Sequence, residues 1–300
     1  VTVAECLACG GRLDDTLAQV SLVHASCFRP VIEREPENEA ARKQILEVVR
    51  YADDNSTRSL QKTLGPSEIG HTCDRRIGYG LAGIREVNFR SDPFAAIAGT
   101  ALHGWMERAI EKYQREVRDL GWQSELELHV DDLVTGHTDV YVEPDVWDWK
   151  FPSSAVLKEY RENGVPSIYQ VQGQLYGYGH RKAGRPVRDI VLIFTPRDGR
   201  LRDMWFWREP YDQDIATRAL ERMYSIAYKL IELDIHNHPE RWDQIPALAE
   251  RKNCWYCPFF VERDAELKAD GTGCPGYSEP AAIRTQKAKE AYEKRLYGDN

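Results

Sequence analysis

Asp148 and Lys150 stand two apart in the stretch DVWDWK, and Asp139 precedes them in GHTDV. In an extended strand, residues two apart share a face, so this carboxylate and ammonium point the same way while Trp147 and Trp149 take the other side and can be buried. The Glu143-Pro144-Asp145 run is a turn signal. An antiparallel hairpin about it brings Asp139 near Asp148. Two carboxylates beside a lysine suit metal-assisted hydrolysis of a phosphodiester, which needs charge stabilisation on the phosphoryl oxygens and a deprotonated water. The lysine can orient that water and offset the growing negative charge. Hard oxygen donors with open positions favour magnesium or manganese over zinc.

His103 and Glu107 are four apart in GTALHGWME and share a helix face, where a histidine ligand would add affinity for manganese. Gln172 and Tyr176, also four apart, can hydrogen-bond nucleic acid or the lysine; Gln174 and Tyr178 fit the same spacing two residues on. Arg75, Arg76, Arg181 and Lys182 are candidate phosphate contacts, against the plainer reading of solvated or ion-paired surface charge. An isolated D-x-K is more often surface charge than chemistry.

The elements needed to position these groups are visible in the pattern. From Pro93 onward, apolar residues recur at helical spacing through His103 and Glu107. ELELHVDD, LVTGHTDVYVE and DVWDWKF read as strands. SIYQVQGQLYGYGH reads as a helix packed on that sheet, weakened in propensity by its glycines. Two further strand-like runs flank Asp198-Gly199, a hairpin signal, and a long helix follows over 211–235. Glu39 to Tyr51 has helical character, broken at 53–57.

Seven cysteines fall into two groups. Cys6, Cys9, His24 and Cys27 have spacings suited to a tetrahedral zinc ion, which would substitute for the apolar core that residues 1–30 lack. Cys73, Cys254, Cys257 and Cys274 form the second group. In a reducing compartment both read as metal ligands rather than disulfides, and the second group's ligand types also permit zinc.

Composition sets the outer bounds. Three hundred residues, 42% of them hydrophobic and 29% charged, match a globular protein with a sizeable core. A net charge of −8 argues against coating nucleic acid by bulk electrostatics, yet not against an enzyme acting on it. No run of apolar residues is long enough for a membrane span, and polar residues and cysteines stand where a signal peptide would be apolar. The expected location is the cytoplasm.

In order, GTALHGWME, GHTDV, DWK and QGQLY resemble the histidine, acid, acid-x-lysine and glutamine-xxx-tyrosine motifs of RecB-like PD-(D/E)XK nucleases, particularly the iron–sulfur exonucleases that include the CRISPR-associated Cas-four family and the AddB nuclease domain. The resemblance runs from Ser67 to Cys274. It implies an α/β restriction-endonuclease-like core, a central mixed sheet flanked by helices. It implies magnesium or manganese held by His103, Asp139, Asp148 and the Trp149 carbonyl, with Lys150 as catalytic base or electrostatic stabiliser. It also implies a four-iron four-sulfur cluster on Cys73, Cys254, Cys257 and Cys274, although the sixteen residues between the last two exceed the usual family gap. The N-terminal module is similar to small zinc modules fused to some phage nucleases. The expected organisation is a zinc module over 1–35, a helical linker over 36–66, the nuclease domain over 67–278 and a charged helical tail over 279–300.

The activity implied is exonucleolytic hydrolysis of DNA, from ends of single strands, in recombination, repair or phage DNA processing. The alternatives are trimming of DNA before CRISPR spacer integration, which needs an integrase partner, and a non-catalytic DNA-binding scaffold for recombination. A homo-oligomer is compatible with all three.

Overall fold

In the computed structural model, which describes residues 35–55, 64–88, 94–247, 254–261 and 273–276, five runs form one sheet, four of them rich in β-branched and aromatic residues and the first alternating leucine and valine with polar residues. They are β1 (Gln123–Asp131), β2 (Val134–Val142), β3 (Asp145–Lys150), β4 (Asp189–Phe194) and β5 (Trp205–Pro210), hydrogen-bonded in that order. The β1–β2, β2–β3 and β4–β5 pairs are antiparallel, and β3–β4 is parallel. The turn expected at Glu143-Pro144 joins β2 to β3. The Asp198-Gly199 signal does not make a tight hairpin: the connection runs from 195 to 204, because the Asp198 carboxylate accepts from the backbone N–H and the hydroxyl of Ser154 at 2.7 and 2.8 Å.

The chain divides into two compact units, Val1–Asn55 and Ser56–Asn300. The described part of the first is helix α1 (Glu35–Asp54) with Asn55. The second adds α2 (Pro66–Ile69), α3 (Asp74–Leu81), α4 (Phe94–Glu116), α5 (Ser154–Asn163), α6 (Ser167–Lys182) and α7 (Gln213–Glu232). Parallel strands require a crossover, and α5 with α6 supplies it between β3 and β4. Ser153 starts α5 by accepting from Val156 N, and Asp212 starts α7 by accepting from Asp214 N.

Alternation along the strands sorts the core into two layers. Tyr141, Val146, Ile190, Leu192 and Phe194 join the cluster under α6 and α7. Val140, Trp149, Val191 and Ile193 form the opposite layer with Ile110 of α4, and Trp147 packs against it. The interior strand β4 is therefore buried on both faces, whereas β5, at the sheet edge, alternates exposed and half-buried residues. The glycines of α6 have a steric reason: a Cβ on Gly173 would lie 2.3 Å from Ile190 Cγ2, and one on Gly177 would lie 2.5 Å from the Tyr211 ring. Close seating of α6 on the sheet outweighs the helix propensity that glycine gives up. The fold is thus α/β, a mixed five-stranded sheet flanked by helices, consistent with the restriction-endonuclease-like core expected.

Candidate active site

The β2–β3 ladder makes its last pair at Val140↔Trp147, beyond which β3 continues beside β4. Where β2 peels away, the N–H of Trp149 would lose its partner. Asp139 replaces the strand: its Oδ2 accepts from Trp149 N at 2.6 Å. Its Oδ1 meets His103 Nδ1 of α4 at 2.9 Å. The His103 ring lies edge-on to Phe151, with centroids 5.1 Å apart.

Asp148 and Lys150 sit on the α6 face of β3. Asp148 is 2% exposed and its Oδ2 pairs with Lys150 Nζ; beyond that ion pair Oδ2 has no hydrogen-bond partner among the described residues. Lys150 Nζ donates to Gln172 Oε1 at 3.0 Å, and Gln172 Nε2 donates to Tyr176 Oη at 3.1 Å. The ammonium also lies 4.9 Å from the Tyr169 ring centroid. Gln174 faces elsewhere: it donates to Glu209 and to the Pro210 carbonyl, and accepts from Asp212 N. Of the two glutamine–tyrosine pairs, the first reaches the lysine.

Burial pushes the Asp148 carboxyl upward, with Asp139 adding to that push and Lys150 pulling back. Burial alone would lower the His103 imidazole, but its hydrogen bond to Asp139 and the charges of Asp139 and Asp148 more than compensate, so its affinity for a proton is raised. Glu125 on β1, which the motif pattern does not single out, belongs to the same charge cluster. Burial first, then Asp139 and Glu107, push its carboxyl up to about 7.

The donors fit a hard divalent ion in kind: carboxylate oxygens, one imidazole, and a buried acid that is costly to ionise without a nearby cation. Among the described residues, no three His, Cys, Asp or Glu side chains are arranged to hold one metal ion. Asp139 is instead bonded to His103 and Trp149, and Asp148 to Lys150, so these internal contacts must open for an ion to enter.

Cys73, Cys254, Cys257 and Cys274 line one cavity, with His71, Arg76, Tyr79 and Phe259 among its walls. Among the described residues none of the four is joined in a disulfide. Cys254 is pushed up to about 12 by burial and then by the other three cysteines, a measure of how closely they face one another. Cys274 reaches the cavity despite its long sequence separation, because Val261 N donates to its carbonyl and its own N–H donates to the Phe259 carbonyl. His71 Nδ1 accepts from Cys73 N at 3.1 Å. Four soft sulfurs around one cavity suit an iron–sulfur cluster or zinc by donor type.

Arg75 corrects an expectation. It is buried, with Nε donating to the Ile245 carbonyl at 2.9 Å, Nη2 to the Asp243 carbonyl at 3.3 Å and Nη1 to Cys274 Sγ at 3.7 Å. Its guanidinium braces the thiol cavity and is not presented to a phosphate; Arg76 lines the same cavity. Arg181 and Lys182 end α6, about 15 Å along the helix from Gln172, and Lys182 Nζ donates to the Val130 carbonyl at 3.3 Å. The fold does not bring these two to the acid pair. Cys6, Cys9, His24 and Cys27 lie outside the described residues.

No protein-family model and no curated protein matches the chain. Among solved structures, it is similar to an alkaline exonuclease, LHK-Exo, from Laribacter hongkongensis, at 16% identity over 61% of this chain and 94% of that one, with a TM-score of 0.42. The LHK-Exo complex with dAMP gives 0.40 at the same identity and coverage. At this identity and score the likeness is too distant to assign chemistry. Among the described residues no helix is long and apolar enough to cross a membrane.

Proposed function

We propose that the chain is a metal-dependent DNA nuclease that hydrolyses phosphodiesters at the centre built from His103, Asp139, Asp148 and Lys150. The observation that carries this reading is the convergence of α4, β2 and β3 at one point: His103 on Asp139, Asp139 on the Trp149 backbone, Lys150 on Asp148. His103, Asp139, Asp148 and the Trp149 carbonyl would hold magnesium or manganese, which supplies Lewis-acid charge at the phosphoryl oxygens and a more acidic water.

The chain's own groups do the rest. Lys150 places a positive charge beside the carboxylates, where it can donate to a phosphate oxygen or orient the attacking water. Gln172 fixes the ammonium from the opposite side, and Tyr176 fixes Gln172. Action from the ends of single-stranded DNA, and a place in recombination, repair or phage DNA processing, rest on the motif order alone.

We further assign the four-thiol cavity to a four-iron four-sulfur cluster, and Cys6, Cys9, His24 and Cys27 to zinc. The cluster would act as a staple between Cys73 and the distant C-terminal thiols, and closing so long a loop removes much unfolded-state entropy.

The test is cleavage of end-labelled single- and double-stranded DNA by anaerobically purified protein with manganese or magnesium. Degradation that EDTA stops and Lys150→Ala abolishes is the expected result. Wild-type protein inert on both substrates with both ions, or a Lys150→Ala protein as active as wild type, refutes the reading. A brown colour lost in Cys73→Ser and Cys274→Ser checks the cluster.

A further inference from the structure

Glu125 lies between the pairs Ser124↔Val140 and Leu126↔Thr138, and so abreast of Asp139. The β2–β3 register carried one step on sets Asp139 abreast of Asp148. Three acidic residues on three neighbouring strands therefore form one row, with strands about 4.8 Å apart. At one end stands Asp148, 2% exposed, its Oδ2 without a hydrogen-bond partner among the described residues beyond its ion pair. The other end approaches α4, where Glu107 is one turn from His103.

Simple alternation would put Glu125 elsewhere. Leu126, Leu128 and Val130 face the core, so Glu125 should share the outward side with Glu127 and His129, which are exposed. It is half-buried instead. Its backbone takes φ 50, the left-handed region that a glutamate seldom occupies, and this single departure turns the side chain out of the alternation. The charges it then meets are those of Asp139, Glu107 and His103. The opposing charges that Glu125 and Asp148 meet among the described residues are those of His103 and Lys150, while Asp139 repels both and Glu107 repels Glu125, an excess of negative charge that a cation would relieve.

We propose that Glu125 is a further carboxylate of this centre and gives an oxygen to a divalent cation shared with Asp139. This rests on reading the centre as ion-dependent.

The test is manganese binding to EDTA-stripped full-length protein, followed by calorimetry and by the electron paramagnetic resonance of free Mn2+, for wild type, Glu125→Gln, Glu125→Gly, Glu127→Gln and Asp148→Asn. Glu125→Gln is expected to weaken binding by about tenfold or more, with the ion-free melting temperature unchanged or raised because a repelling charge is gone. Glu127→Gln should bind as wild type does. If Glu125→Gln binds like wild type while Asp148→Asn is weakened, the role of Glu125 is overturned and the centre stands. If wild type binds no manganese, or Asp148→Asn binds like wild type, the centre itself is overturned. Should Glu125→Gln fail to fold, Glu125→Gly, which suits the left-handed backbone, decides: weak binding supports the role and wild-type binding removes it.

Discussion

Replacing Lys150 with methionine should make the protein's stability fall steeply as pH rises. Asp148 is 2% exposed and Lys150 13%, so removing the ammonium leaves a carboxylate buried beside another acid. Breaking such a pair by deleting one partner costs about 3–5 kcal/mol when the remaining group stays charged. Asp148 can avoid that cost by taking a proton. Holding it neutral costs about 1.4 kcal/mol for each pH unit above its unfolded value of 3.8. The sign follows from a folded-state pKa raised above the unfolded one: both states are protonated well below 3.8, and the folded state is increasingly penalised as pH climbs towards its own raised value. Burial already raises the wild-type carboxyl to about 6, so at about pH 5 both proteins should have lost about 1.6 kcal/mol relative to strongly acid solution, and at about pH 7 Lys150→Met about 4 kcal/mol against about 3 kcal/mol for wild type. Wild type should level off above about pH 6 while Lys150→Met continues to fall, because Lys150 pulls Asp148 back. Urea unfolding followed by far-ultraviolet dichroism at both pH values, on wild type, Lys150→Met, Asp148→Asn and the double variant, gives the four free energies. The double variant should be nearly flat with pH and more stable than Lys150→Met near neutrality. A Lys150→Met protein within about 0.5 kcal/mol of wild type at about pH 7, inside ordinary surface-substitution scatter, would refute the account of the pair.

Three further outcomes follow from the packing. Gly173→Ala puts a methyl where Ile190 already lies 2.3 Å away, so it should cost about 1–3 kcal/mol; thermal melts should show the loss, and it should be smaller when Gly173→Ala is made in an Ile190→Ala chain than in wild type. His180 is fully buried, stacks on Tyr141 with centroids 4.5 Å apart, and has no hydrogen-bond partner for either ring nitrogen among the described residues. Burial, then Arg185, lowers its pKa from 6.5 to about 4, so its contribution is intact above the unfolded value and is lost as pH falls from about 6.5 towards 4; melts of His180→Phe should lack that acid-side decline, and an unchanged decline would disprove the assignment. Glu209, raised to about 7 by burial, should destabilise the fold as pH rises from about 4.5 to 7, and Glu209→Gln should flatten that limb in denaturant titrations.

Where periodicity alone sets an element, the sequence was readable. The hairpin around Glu143-Pro144, the helix carrying His103 and the shared face of Asp148 and Lys150 follow from spacings of two and about 3.6. Choices between equivalent neighbours were not readable in the same way. Gln172 and Gln174 each have a tyrosine four residues on, and only the tertiary partners separate them: one glutamine meets Lys150, the other meets Glu209 and the start of α7. Arg75 and Arg76 are adjacent in sequence, yet the carbonyls of Asp243 and Ile245, far along the chain, capture the first. The glycines of α6 lower its helix propensity, and the reason for them is tertiary: Ile190 and Tyr211 press against the helix at those positions.

Glu125 shows the limit most sharply, because the local pattern points the wrong way. Counting from the turn, Asp131↔Val134 would set Glu125 opposite Val140. An irregularity between His129 and Asp131 shifts the register, and the strand beyond it pairs Leu126 with Thr138. One displaced residue changes which pair of side chains meets across the strands. Here it moves a glutamate from beside a valine to beside Asp139, and the left-handed φ then removes it from the exposed alternation. Both departures decide the position of the same residue, which comes to lie beside the point where β2 leaves β3 and Asp139 satisfies Trp149 in its stead. A register shifted at one end of β1 and a left-handed φ at Glu125 together set a carboxylate beside Asp139 where regular pairing would have set it opposite Val140, and a departure that ends at a charge cluster is what a strand shaped around a bound cation would have.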